Sequence, residues 1–203
     1  MEPAAPSMVD LSFRLHGADL PRDHRWLLSQ ALAAEASWLA AEPGVGVHEV
    51  NVVQGTGERA WLSARSRLLL RVPRARAGDL AALSGRRLQV GASALHLGEA
   101  HQRELLPHAT LYAHFVDAQA ADEATFLDEV GRQLEALGVA GHCVCGRAQQ
   151  VHGPAGPLSG FSLMLHGLRA AHAQRLLEHG LGPHRFMGCG LFVPHKSAAA
   201  VGD

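Results

Sequence analysis

Strand-like and helix-like runs follow one another in the same order twice along the 203 residues, and few folds accept such a pattern. Val9 to His16, VDLSFRLH, alternates apolar and polar residues, which predicts a strand with Val9, Leu11, Phe13 and Leu15 on one face. The turn Gly17-Ala18-Asp19 closes it. Pro21 then stands where a first helical turn tolerates it, and Trp26, Leu27, Gln30, Ala31, Ala34, Trp38 and Leu39 follow at helical spacing up to Pro43. Val45 to Val53 and Leu68 to Val72 predict a hairpin joined through Gly55-Thr56-Gly57 and an arginine-rich connection. A short helix from Gly78 to Leu83 stops at Gly85. Leu88, Val90, Leu95 and Leu97, interrupted by Gly91, predict a bent closing strand or a small hairpin.

The second half repeats the order. Thr110 to Val116 predicts a strand, and Asp122 opens a helix with Phe126, Val130, Leu134 and Leu137 along one face, closed by Gly138. A strand around Cys143 and another from Phe161 to Leu165 flank the turn Gly153-Pro154-Ala155-Gly156-Pro157. A helix from Arg169 to His179 ends at Gly180, and Phe186 to Val193 is the expected last strand. The predicted class is therefore α+β, two tandem ferredoxin-like (RRM-like, βαββαβ) domains. The expected boundaries are 8–106 and 107–196, meeting near Leu106-Pro107, with a frayed tail over 197–203. The halves share architecture without residue-by-residue identity. Such sheets host many activities, so the fold alone names none.

Composition narrows the class. Hydrophobic residues are 47% and charged residues 18%, enough apolar material for two cores and too little charge for a disordered chain. No stretch approaches the length of a membrane span and the N-terminus lacks a signal-peptide pattern, so no membrane partner and a cytoplasmic location are expected. Cys143, Cys145 and Cys189 are an odd set, two of them too close for an ordinary bridge, and reduced thiols are expected. The net charge is -1, yet Arg59, Arg65, Arg67, Arg71, Arg74, Arg76, Arg86 and Arg87 face a single acid, Asp79, within their stretch. A locally basic surface on a neutral molecule is the implication. Lys196 is the only lysine. Arginine's planar fork suits phosphates and bases, although codon usage in a GC-rich genome yields the same bias.

Gly180 to Lys196, GLGPHRFMGCGLFVPHK, carries four glycines around His184 and Arg185. Such a loop lets backbone approach another chain and offers N–H groups to phosphates; it reads equally as a helix cap followed by a bulged edge strand. Cys143-x-Cys145 lacks the paired spacing of a zinc site, and neither an HExxH helix nor a P-loop occurs. No metal and no cofactor are expected.

Four segments, SFRLHG, LPRDH, RSRLLLRVP and the terminal GCGLFVPHK, are spread from about Val9 to Lys196. Together they resemble the CRISPR repeat-processing endoribonucleases, the sixth Cas protein family of the RAMP superfamily, in its MYXAN-type branch. The resemblance implies a protein that binds the repeat of a precursor transcript, often a stem-loop, and cuts once near the 3′ base of the stem. It implies a catalytic histidine at or near the first helix, which maps onto His24. Histidine suits either proton transfer in cleavage by a ribose 2′-OH, and a first-turn position favours the neutral ring through the helix dipole.

Some relatives pair this histidine with a nearby tyrosine and lysine. Here Tyr112 and Lys196 are the only residues of those types, and neither is close to His24 in sequence. Arg22 and Arg25 flank His24, and Ser29 follows a turn later. RNA holding is expected from Arg22, Arg25, Arg65, Arg67 and Arg71, and from the loop residues Gly182, His184, Arg185, Gly188 and Gly190. Expected partners are CRISPR repeat RNA and further subunits of an interference or transposon-linked complex. The alternatives are a catalytically weak RNA-binding subunit that caps the guide RNA, and a tandem ferredoxin-like small-molecule sensor.

Overall fold

A computed structural model of the chain describes residues 6–119 and 122–195. Lys196 and the expected tail 197–203 lie outside the described residues. The chain divides into two compact units. One gathers the residues up to Glu104 with His152–Gly156 and Phe186–Gly188; the other gathers Leu105–Val151, Pro157–Arg185 and the residues from Cys189 onward.

The first unit contains β1 (Met8–His16), β2 (Asp19–Pro21), α1 (Arg25–Glu35), α2 (Trp38–Ala41), β3 (Gly46–Val47), β4 (Val53–Gln54), β5 (Arg59–Trp61), β6 (Arg67–Pro73), α3 (Ala77–Ala81), β7 (Arg87–Val90) and β8 (Ser93–Glu104). Its main sheet is five-stranded in the order β3-β6-β1-β8-β7. Alternation in β1 puts Val9, Leu11, Phe13 and Leu15 into the core as expected, against Leu68, Leu70 and Val72 of β6 and Leu28 and Leu32 of α1. Each such side chain, fully withdrawn from water, stabilises by about 1.5–3 kcal/mol.

The second unit holds β9 (Leu111–Asp117), α4 (Glu123–Ala136), β10 (His142–Gly153), β11 (Gly156–His166), α5 (Ala170–His179) and β12 (Phe192–Pro194), with the β10–β11 turn grouped with the first unit. Its sheet order is β10-β11-β9-β12. Asp122 caps α4 by accepting the Thr125 N–H at 2.9 Å, and Phe126, Val130 and Leu134 follow one another at four-residue spacing into the core. With strands numbered within each repeat, both sheets run 2-3-1-4 with a helix after the first and third strands, β7 being an added hairpin strand. That is the ferredoxin-like order, twice.

Four expectations change. Pro21 does not stand in a first helical turn: it closes the short strand β2, and the helix starts only at Arg25. The helix foreseen up to Pro43 breaks after Glu35, where Ala36 turns to φ -147°, and resumes as α2. Val45 to Val53 is not one strand: only Gly46–Val47 pairs with β6, while Val53–Gln54 pairs with β5 in a separate three-stranded sheet, β2-β5-β4. Side chains satisfy the backbone between them, since Val50 N–H donates to His24 and Asn51 C=O accepts from Ser66, and a side-chain partner substitutes for a ladder. The last strand shortens to Phe192–Pro194 because Arg185–Met187 forms a 3₁₀ turn and Gly188 and Gly190 take positive φ.

Candidate active site

Pro21 ends β2, and the next three residues lead into α1 in an order that fixes each side chain differently. Arg22 N–H donates to Glu58 C=O at 2.8 Å, tying this turn to the start of β5. Arg22 itself is exposed, its guanidinium donating to Gly55 C=O at 3.3 Å. His24 is the N-cap of α1, and its carbonyl accepts the Leu28 N–H at 2.7 Å.

The His24 ring turns inward and is only 1% exposed. Its Nδ1 lies 3.1 Å from Pro21 C=O, and its Nε2 accepts the Val50 N–H at 3.2 Å. A carbonyl accepts and an amide donates, so these partners fix a neutral imidazole with its proton on Nδ1. Burial lowers its pKa, with Arg25 acting the same way against the opposing charge of Glu49 and the bond to Pro21. Neutrality was expected from the helix dipole; the main cause is desolvation.

Arg25 is also buried. It donates to Gly188 C=O at 3.0 Å and to Glu49 at 2.6 Å, and so ties α1 to the Phe186–Gly188 segment inside the first unit. That is a structural role in place of the expected RNA contact. Ser29 donates to Trp26 C=O.

The expected arginine row divides. Arg65 is exposed and Arg67 half-buried, the latter donating to Ala64 and Ser66 carbonyls. Arg71, further along β6 from Arg67, is 1% exposed, clamped on Asp10 by bonds of 2.8 and 2.9 Å, so it leaves the set of RNA-facing cations. Burial would raise the Asp10 carboxyl, but the His48 ring 3.9 Å away and the hydrogen bonds and charge of Arg71 prevail and hold it well below the usual carboxylate range. Of the eight arginines between Arg59 and Arg87, four sit in ion pairs: Arg59 with Asp19, Arg71 with Asp10, Arg74 with Glu104, and Arg76 with Glu42 and Asp79. The basic stretch is therefore weaker as a field than its sequence suggests.

Backbone groups of the glycine-rich loop are engaged within the fold. Gly182 N–H donates to the Gln133 side chain, and Gly190 N–H donates to Phe115 C=O. Those amides do not form an open phosphate cradle. Gly190, at φ +65°, leaves so little room that an added Cβ would stand 1.7 Å from Leu181 O. Gly188, at φ +83°, packs against Val47 O in the same manner. His184, also at positive φ, has Nε2 3.6 Å from the Asp117 carboxylate, and Arg185 donates to Glu178 C=O. A neighbouring carboxylate makes the His184 corner a poor seat for a phosphate.

The residues that do gather at an open surface include two the sequence did not single out. A cleft of about 300 Å³ is lined by Pro21, Arg22, Asp23, Trp26, Leu27, Glu58 and His152. Asp23 accepts both the backbone N–H and the Nδ1–H of His152, each at 2.7 Å. The partners lie 129 residues apart, and no local pattern foretells them. Tyr112 sits in the second unit against His114 and His195. Among the described residues, no three His, Cys, Asp or Glu side chains cluster as a metal site would, and Cys143 and Cys145 are thiols raised by burial.

Comparison with known proteins agrees with the resemblance read from the sequence. The family model described as "Cas6 Crispr" matches residues 9–197. A curated protein of Myxococcus xanthus (strain DK1622), "CRISPR-associated endonuclease Cas6", is 38% identical over 194 residues, spanning 95% of this chain and 84% of that one. A solved "CRISPR associated protein Cas6" superposes with a TM-score of 0.68 at 10% identity, covering 93% of this chain and 100% of its own. Another, "An RAMP protein binding different RNA substrates", gives 0.64 at 11% identity, covering 91% and 98%. At such identities the solved structures speak for the double ferredoxin-like fold alone.

Proposed function

This chain belongs to the Cas6 family, and on that premise we propose that it is a metal-independent endoribonuclease that binds CRISPR repeat RNA and cuts the precursor transcript into guide RNAs. The observation that carries the reading is the 38% identity, over 95% of the chain, to a protein named as a CRISPR-associated endonuclease. The reaction is attack of a ribose 2′-OH on the adjacent phosphate, leaving a 2′,3′-cyclic phosphate and a 5′-OH. A base must take the 2′ proton, an acid must protonate the leaving oxygen, and cations must steady the charged phosphorane.

His24 is the proposed base. Its neutral ring is in the right protonation state, and its Nε2 accepts the Val50 N–H, so a shift of the irregular backbone around Val50 on RNA binding is what would present it. Arg22 in the cleft is the proposed cation beside the phosphate, with Arg65 and Arg67 tracking the strand. Gly182, His184, Arg185, Gly188 and Gly190 act by shaping the loop, since their backbone is engaged within the fold.

The enclosure of His24 supports a second reading, a catalytically weak subunit that holds guide RNA within a larger CRISPR complex, with His24 as a core residue. Cleavage of the host's repeat RNA in chelator, with binding and melting measured separately, separates the two. The enzyme reading expects wild type to cut and His24→Ala to bind normally while losing about 10²- to 10⁴-fold in rate. Tight binding by wild type without any cut supports the second reading.

A further inference from the structure

Asp23 and His152 form a pair whose arrangement matches a proton-transfer device better than a brace. An ion pair between side chains 31% and 81% exposed adds little to stability in water. Yet the residue is fixed at two points, because one carboxylate oxygen holds both the His152 backbone amide and its Nδ1–H. A carboxylate can only accept, so Nδ1 carries a proton and Nε2 is the nitrogen left to exchange one with a ligand. A carboxylate behind one ring nitrogen with the other turned to the ligand is the arrangement an aspartate makes behind a catalytic histidine. The His152–Gly156 turn groups with the first unit, so His152, Arg22 and the entrance to α1 border one cleft.

We propose that His152 is the general acid of RNA cleavage, with Asp23 as its positioning residue; the inference rests on the endoribonuclease reading given above. In the step, the O2′–P bond forms and the P–O5′ bond breaks. The 2′ proton goes to the base, the Nε2 proton of His152 goes to O5′, and exchange with solvent restores both groups. No co-reactant is needed. Arg22, on the same cleft, is placed to meet the phosphate whose leaving oxygen His152 serves.

The test uses a leaving group that needs no acid. With the scissile bond mapped using wild type, repeat RNA is made with its normal 5′ oxygen and with sulfur in that bridging position, and both are cleaved in single turnover. His152→Ala is expected to lose about 100-fold or more on the oxygen substrate and to cut the sulfur substrate within about threefold of wild type, at unchanged RNA affinity. Asp23→Asn is expected to show the same selective rescue with a smaller loss. Equal rates for His152→Ala and wild type on oxygen, or equal losses on both substrates, overturn the inference and leave the endoribonuclease reading standing. Binding without cleavage of either substrate by wild type overturns that reading, and this inference with it.

Discussion

His24 holds its ring between two backbone groups, and its protonation is linked to folding. Its pKa is lowered in the native state, so the native protein binds fewer protons here than the unfolded chain, whose imidazole has a pKa of about 6.5. The contribution of the neutral ring is therefore complete above that value and declines as the pH falls below it. Denaturant unfolding from pH 8 to pH 5 should show the advantage of wild type over His24→Gln shrinking below about pH 6.5, by at most about 1.4 kcal/mol per pH unit. An advantage that does not change with pH would mean that the ring is not buried neutral. Asp10 carries a dependence of the same sign at lower pH. Arg71 and His48 depress its pKa, so its contribution holds above the ordinary carboxylate range and is lost only in stronger acid. Residue identity alone revealed neither fate: His24 read as a catalytic acid–base group and Arg71 as a phosphate contact, because burial depends on partners 26 and 61 positions away.

At the scale of elements, local pattern was a reliable guide where one face meets a core. The strand from Val9, the α4 stripe of Phe126, Val130 and Leu134, and the helix ending at Gly180 all follow their periodicity. It misled where side chains satisfy the backbone, as at Val50 and Asn51, and where glycines bend a strand-like run, as over 186–191. Two glycines make the difference measurable. Gly190→Ala forces a methyl group onto the Leu181 carbonyl at positive φ and is expected to cost more than about 1 kcal/mol in chemical unfolding. Gly131→Ala, inside α4 with open space around the added atom, is expected to stabilise by about 0.5–1 kcal/mol. Equal effects would mean that the loop yields freely.

On the scale of the whole molecule, the net charge of -1 conceals an arginine-rich stretch, half of whose cations already face carboxylates. Salt dependence of RNA binding counts the remainder. Arg65→Ala is expected to reduce the slope of log K against log salt by about 0.7–1, whereas Arg74→Ala, which removes a cation paired with Glu104, should leave it nearly unchanged. Slopes that fall equally would mean that ion pairing does not decide which arginines meet RNA. The sequence by itself determined the doubled α+β architecture and the family, because strand and helix periods are local and its four resembling segments span both halves. It also marked the turn before α1 as the place to look. Only the tertiary structure decided which titratable groups face water there. A pairing such as Asp23 with His152, like the burial of His24 and Arg71, is set by backbone brought together from distant parts of the chain, and one-dimensional spacing carries no trace of it.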